Sequence, residues 1–241
     1  MVDAIGAAVA AMTNDLSRMN VIGQNLANAS TTGYRRELAV AAPFQDVLAT
    51  GAGHAMTTAM PGRIDRIADF KPGMLQPTRN PLDLAIEGEG FFEIMTDAGP
   101  RYTRQGNFRL DAVGRLVTES GSPVMGDSGE VVLKSTQVSI DGQGRMLEGD
   151  RPAGQLRIAR FADPQTLTHV GSGMYAMGDG STLKTDGYAR VRQGFLEGSN
   201  VNSTQEMVKM IETVRHFETG QKVIQAYDDI LSQALNKLGE F

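Results

Sequence analysis

Residues 203–241 read STQEMVKMIETVRHFETGQKVIQAYDDILSQALNKLGEF, and their spacing decides the fold. Met210, Phe217, Ile224, Leu231 and Leu238 stand seven apart without a gap, with Met207, Val214 and Leu235 on an adjoining seam. A repeat of seven gathers side chains on one side of an α-helix. The stretch holds no proline, and its glycines are Gly220 and Gly239 alone. At its start Ser203 and Glu206 have the S-x-x-E spacing of a capping box. Such a helix is about 58 Å long, more than a small domain's core covers, so a second long helix is expected against it. Gln221 and Asp228 interrupt the second seam, where polar groups lower stability but fix register once they find partners.

The other terminus supplies the second helix. From Asp3 to about Ala27, large apolar residues recur at Ile5, Val9, Met12, Leu16 and Met19, in steps that define one stripe of a helix about 37 Å long. Directly behind it stands NLANASTTGYRRE, residues 25–37. Asn, Ser and Thr side chains there compete for backbone hydrogen bonds and stop the helix. Gly33 permits a backbone angle that most residues avoid. Two amphipathic helices at opposite ends predict an antiparallel pair whose remaining apolar surface meets neighbouring copies; the plainer alternative is one surface helix folded onto its own globule.

The middle of the chain has a different period. PLDLAIEGEGFFEIM, residues 81–95, alternates Leu82, Leu84 and Ile86 with Asp83, Ala85 and Glu87, as a half-buried strand does, and breaks at Gly88 and Gly90. Phe108 and Leu110 face one way before a turn at Asp111 to Gly114 and a strand over 115–118. The strand, Asp-x-x-Gly turn, strand scheme repeats at Asp141 to Gly144. Short strands with glycine turns predict an irregular all-β sandwich or barrel. The expected fold is therefore α+β: long terminal helices paired as a coiled-coil-like inner layer, with a central all-β domain. The expected divisions are an N-terminal helix and junction over 1–35, an extended, proline-rich connector over 36–80, a β domain over 81–195, and the long helix with its junction over 196–241.

Composition narrows the function classes. Twenty-three basic against 28 acidic residues leave a net charge of −5, with no Lys/Arg cluster suited to phosphates, so nucleic acid is not an expected partner. With no cysteine there is no disulfide, Cys-metal site or thiol chemistry. No stretch reaches the roughly 18 apolar residues that would cross a membrane, so no direct membrane insertion is expected. The apolar run from Ala4 to Met12 follows Asp3 rather than a positive charge, which argues against a cleaved secretory signal.

Chemistry-bearing patterns are sparse. His54, His169 and His216 lack the spacing of a zinc or triad site, and no catalytic, metal or cofactor-binding residues are expected. Gly88-Glu89-Gly90 continues as Phe91-Phe92 without the third glycine of a dinucleotide loop. Asp83, Glu87, Glu89 and Glu93 read as a solvated acidic face. Asn28-Ala29-Ser30 and Asn202-Ser203-Thr204 match glycosylation sequons by pattern but fall at the helix junctions.

Three stretches together carry a family resemblance. NLANASTTGYRRE, then PLDLAIEGEGFFEI with RYTRQGNFRLDAVGRLVTESGSPVMGD, then GFLEGSNVNSTQEMVKMIETVRHFE resemble, in order, the signatures of the bacterial flagellar rod and hook family of axial structural proteins. The resemblance implies helical assembly with other copies and with neighbouring rod and hook proteins. It also implies passage through the flagellar export apparatus without a cleaved signal, and residence in the basal body. The length leaves no room for the hook's large additional domain, and LEGSNV, residues 196–201, favours the proximal rod over the distal rod or another axial segment. The resemblance further implies that the terminal helices form an inner layer and that Asn25, Leu26, Asn28, Ser30, Thr31, Gly33 and Tyr34 form one junction, Gly198, Ser199, Asn200 and Val201 the other. Ile5, Val9, Met12, Leu16, Met19, Met207, Met210, Val214, Phe217, Ile224, Leu231 and Leu238 are then the helix-packing residues, with Arg215 and Glu218 as charges near a neighbour. A monomeric β-rich binding module is the reading from a different class, and it leaves the apolar helix uncovered.

Overall fold

The computed structural model describes residues 2–41, 64–184 and 189–238. They fall into two compact units. One comprises the described parts of Met1–Ala27, Glu37–Ile67 and Asn202–Phe241; the other comprises Asn28–Arg36 and Ala68–Val201.

The first unit is built on α1 (Val2–Ala27) and α2 (Ser203–Leu238), with β1 (Glu37–Ala41) and β2 (Ile64–Ala68) as a two-stranded sheet. The two helices pack on each other and run antiparallel. Asn25 meets Glu206, and a Cβ placed on Gly23 would lie 3.9 Å from the terminal methyl of Met210. Further along, Asp15 meets His216, and Met12 lies against Gly220.

The expected cap on α2 moves by one residue. Asn202 Oδ1 accepts from the Gln205 amide (3.2 Å) and the Asn202 carbonyl from the Glu206 amide (3.0 Å). Asn is as good a cap as Ser, and the helix begins at Ser203, so the residue before it takes the role. Glu206, the other half of the expected box, is buried and turned to Asn25.

The side of α2 that is withdrawn from solvent runs through Glu206, Met210, Thr213, Phe217, Gly220, Ile224 and Tyr227, in steps of four and three. Met210, Phe217 and Ile224 form one seam on this side. Its companion seam is Glu206, Thr213, Gly220 and Tyr227, one position earlier than hydrophobicity alone indicates. Val214 is half-buried beside it, while Met207, Gln221 and Asp228 are exposed. A small residue permits the displacement: a Cβ on Gly220 would sit 3.0 Å from Met12 Cγ. On α1, Ile5, Met12 and Met19 are half-buried, and Ala8 and the buried Asp15 share their stripe in place of Val9 and Leu16. The side chains of Leu231, Leu235 and Leu238 lie outside the described residues, as do His54 and residues 42–63 of the proline-rich stretch.

The second unit consists of short strands. β3 (Leu75–Pro77) forms inside the expected connector, and β4 (Leu84–Glu87) follows. β5 (Phe91–Thr96) and β6 (Gly99–Thr103) form a hairpin. Next come β7 (Arg109–Leu110), β8 (Leu116–Val117), β9 (Met125–Gly126) and β10 (Gly129–Glu130). They are followed by β11 (Ser139–Ile140), β12 (Arg145–Glu148), β13 (Arg151–Gln155) and β14 (Ile158–Ala159). The series ends with β15 (Leu167–Gly171), β16 (Met174–Met177), β17 (Arg190–Gln193) and β18 (Phe195–Glu197). The largest sheet has the order β14-β5-β6-β16-β15, and β4 and β3 pair antiparallel with the returning strands β17 and β18.

The core of this unit is apolar. Leu84, Ile86, Phe92, Ile94, Leu116, Val124, Leu133 and Met146 are fully buried in one cluster, where Phe92 meets Phe108 edge-on with ring centroids 5.1 Å apart. Phe91, Tyr102, Phe161 and Tyr175 form a second, aromatic cluster. Strand β4 does not alternate as the sequence predicts: Leu84, Ala85 and Ile86 are all buried, because both of its faces are covered. Asp83 leaves the expected acidic face for the same reason. It is buried and accepts from Asn80 Nδ2 at 2.9 Å, whereas Glu89 stays exposed between Arg160 and Lys184.

Both Asp-x-x-Gly turns are hairpin corners with matching hydrogen bonds. Asp111 Oδ1 accepts from the Val113 and Arg115 amides, and Asp141 Oδ1 from those of Gln143 and Arg145. In each, the second carboxylate oxygen takes the arginine Nε at 2.7 Å.

Candidate assembly site

In the helical unit the buried side chains of the described residues are mostly not apolar. Val21 and Ile22 are buried, but so are Asp15, Asn25, Glu37 and Glu206. Asn25 joins two of the others. Its Nδ2 donates to the Glu37 carbonyl and its Oδ1 accepts from the Glu37 amide, both at 2.8 Å, so the side chain imitates a strand partner for the first residue of β1. The same Nδ2 is 3.2 Å from Glu206 Oε2, and Lys209 holds Glu206 Oε1 at 3.2 Å. Asp15, buried on α1, meets His216 Nδ1 of α2 at 2.5 Å. Polar contacts thus fix which residues of α1 and α2 face each other.

Large apolar side chains on the same helices are left outside. Val9 is 50% exposed, Leu16 48%, Met207 47% and Ile211 54%, and Val208, Val223 and Ile230 are exposed as well. Three residues expected between the helices, Val9, Leu16 and Met207, therefore stand on the open surface of the single chain. Arg215 and Glu218 are exposed on α2.

The two junctions, far apart in sequence, lie side by side within the β unit from residue 28 onward. The Gly33 amide donates to the Glu197 carbonyl (2.7 Å) and the Asn200 amide to the Tyr34 carbonyl (3.4 Å). The Arg36 amide donates to Asn200 Oδ1 (2.7 Å), and Asn200 Nδ2 to the carbonyls of Asp69 and Lys71 (2.8 and 2.9 Å). Gly33 has φ of +67°, and a Cβ there would lie 2.5 Å from the Arg104 carbonyl carbon, so both conformation and space require glycine. Thr31 returns to Asn28, its amide to the Asn28 carbonyl and its hydroxyl to Oδ1. Tyr34 is buried. The Gly198 amide donates to the Met74 carbonyl, Ser199 Oγ accepts from the Val201 amide, and Val201 is half-buried. Leu26 is half-buried at the end of α1, and Ser30 is exposed.

Sequence reasoning missed the charges behind this junction. Arg35 Nη1 lies 2.7 Å from Glu197 Oε1, and Arg104 Nη1 lies 3.2 Å from Glu197 Oε2; all three side chains are buried. Burial pushes the Arg104 guanidinium down to about 10 against the pull of Glu197, with Arg35 adding to the fall, so it remains charged at neutral pH. Glu197 Oε1 also accepts from the Gly73 amide at 2.9 Å. The only sequence signal was that Arg35, Arg104 and Glu197 each sit inside one of the resembling stretches. Elsewhere among the described residues no three His, Asp or Glu side chains gather as a metal ion would need, and no helix is long and apolar enough to cross a membrane.

Paired terminal helices with an open apolar face, joined to a compact β unit through a closed junction, define a class of interaction subunit. Three family models match the chain. Residues 5–35 match "Flagella basal body rod protein", 85–147 "Flagellar hook protein FlgE/F/G D1 domain", and 192–238 "Flagellar basal body rod FlgEFG protein C-terminal". Similar full-length proteins carry the same description. The flagellar basal-body rod protein FlgG of Bacillus subtilis is 31% identical, over 98% of this chain and 99% of its own length. FlgG of Buchnera aphidicola from Acyrthosiphon pisum is 33% identical over 91% of this chain and 93% of its own, and FlgF of Escherichia coli 33% identical over 96% of each. The chain belongs to the flagellar basal-body rod protein family.

Proposed function

We propose that this chain is a structural subunit of the flagellar basal-body rod, assembled helically with copies of itself and with neighbouring rod and hook proteins into the torque-transmitting shaft. The observation that carries this reading is the half-exposed apolar face of α1 and α2, on a unit whose own buried side chains are largely polar. Fully burying a large apolar side chain is worth about 1.5–3 kcal/mol, so covering the remaining half of each contributes about 1 kcal/mol, repeated at every copy. In that assembly α1 and α2 form a coiled-coil-like inner layer. Val9, Leu16 and Met207 then pack against neighbours rather than within the chain, Leu231 and Leu238 extend the seam, and residues 25–34 and 198–201 set how the inner layer leads into the β domain. Arg215 and Glu218 pair with charges near a neighbour, a contribution of only about 0–1 kcal/mol at a surface.

The subunit is mechanical, with no chemical active site or cofactor. It reaches the basal body through the flagellar export apparatus without cleavage of a signal, and it does not insert into the membrane. Within the rod, the LEGSNV stretch favours the proximal segment; relatives named FlgF and FlgG match at nearly equal identity. Mass spectrometry of purified basal bodies tests all of this together. The expected result is the chain in the rod with its first residues intact and, when a photoreactive residue replaces Leu16, cross-linked there to another copy or to a proximal-rod neighbour. Cross-links confined to distal-rod proteins would move it along the shaft, and absence from basal bodies would leave the monomeric binding module as the better reading.

A further inference from the structure

The three segments matched by family models each contribute one member of the buried charge cluster: Arg35 from the first, Arg104 from the second, Glu197 from the third. Two cations share one carboxylate in a place nearly closed to water, so the cluster carries a surplus positive charge, which is costly unless hydrogen-bonded.

The two arginines are held very differently. Arg104 donates Nη2 to the Gly88 carbonyl at 2.6 Å and Nη1 to the Ile86 carbonyl at 3.2 Å as well as to Glu197, and its guanidinium carbon lies 5.2 Å from the centre of the Phe91 ring. Arg35 has only proximity. Its Nη1 is close to Glu197 Oε1, yet among the described residues none of its Nε, Nη1 and Nη2 atoms makes an aligned hydrogen bond. A guanidinium has five N–H donors to satisfy, and a buried donor left unmatched opposes the packed state. Glu197 is the fixed part: it keeps the Gly73 amide and Arg104 whatever Arg35 does, and its carbonyl holds the Gly33 amide.

We propose that Arg35 is a releasable latch: it docks the N-terminal junction, residues 31–36, onto the β unit through an incompletely paired buried charge, so that this segment opens more readily than the strands around it. Opening carries Tyr34 out with it and gives the guanidinium the water it lacks inside. The latch lies wholly within the β unit and does not rest on the rod reading. Charge arithmetic gives it an unusual signature. Replacing Arg35 leaves a balanced Arg104 and Glu197 pair, whereas replacing Glu197 leaves two buried cations without a counterion.

Amide hydrogen exchange on the full chain, resolved by residue, tests the latch. In the wild type the Gly33 and Asn200 amides are expected to exchange at least about tenfold faster than the paired amides of β5 and β6, as a local opening does. Arg35→Met is expected to leave the Gly33 rate unchanged or slower and the melting temperature no lower. Glu197→Gln is expected to accelerate exchange at Gly33, Gly73 and the β5–β6 hairpin together. Equal protection of Gly33 and β5–β6 in the wild type would overturn the proposal without any variant. So would an Arg35→Met chain that fails to fold or whose Gly33 amide exchanges about tenfold faster, because Arg35 would then be an anchor.

Discussion

The β unit and the helical unit spend their apolar residues in opposite ways. In the β unit they are inside: Leu84, Phe92, Ile94 and Val124 are completely buried, and Asp83 and Thr103, polar side chains drawn in with them, are hydrogen-bonded. In the helical unit much of the apolar surface is outside, while Asp15, Asn25 and Glu206 occupy the contact between the helices. A core of the first kind supplies stability to a single chain. A contact of the second kind supplies register and leaves the hydrophobic term to be gained against something else. The same polypeptide thus carries one part that is complete alone and one that is complete only in company.

Substitutions act differently on the two units. Phe92→Ala has the largest expected effect, a loss of about 3–5 kcal/mol in urea unfolding of the β unit, because it empties a site closed on all sides. Asn25→Ala strips the Glu37 backbone and Glu206 of a buried partner and is expected to cost about 1–3 kcal/mol, confined to the helical unit. Far-UV ellipticity at low denaturant should fall while the β unit's near-UV transition stays in place; a matched loss in both would mean that the units do not behave separately.

Acid should act on the repeated corners of the β unit. The hydrogen bond from Arg115 lowers the Asp111 carboxyl; at Asp141 burial pushes upward but is outweighed by Arg145 and the backbone amides, and the carboxyl is again lowered. A carboxyl lowered by folding stabilises the native state above its unfolded value of about 3.9, and that contribution is lost as pH falls below this through the folded value. The double variant Asp111→Asn, Asp141→Asn should therefore lose less melting temperature than the wild type over that acid range. Equal losses would show that these corners do not contribute to acid sensitivity. The smallest expected effect is that of Leu16→Ser on the isolated subunit, within about 0.5 kcal/mol in thermal unfolding, since the side chain is already half in water.

Much of this was legible in the sequence. A seven-residue series of apolar side chains is a local signal, and it marks α2 as a helix. The two Asp-x-x-Gly corners were equally legible, because aspartate and glycine close such a turn by local hydrogen bonds. The rest depended on partners. The second seam of α2 was misplaced because its members, Glu206, Thr213, Gly220 and Tyr227, are chosen by closeness to α1 and not by hydrophobicity. Asp83 was placed on a solvated face because nothing local shows that β4 is covered on both sides. The junction residues Gly33 and Asn200 could be suspected from type alone. That Arg35, Arg104 and Glu197 converge could not, since no local period relates side chains so far apart in the chain.

The most direct test of the account replaces Leu16 and Ile211, one exposed apolar residue on each helix, by aspartate and follows the double variant into purified basal bodies by quantitative mass spectrometry. If copies meet at these residues, the variant subunit is made at wild-type level, unfolds at the wild-type temperature and is missing from the rod. The same variant found in basal bodies at wild-type abundance would contradict this, for the open face of the helices would then not be where the copies meet.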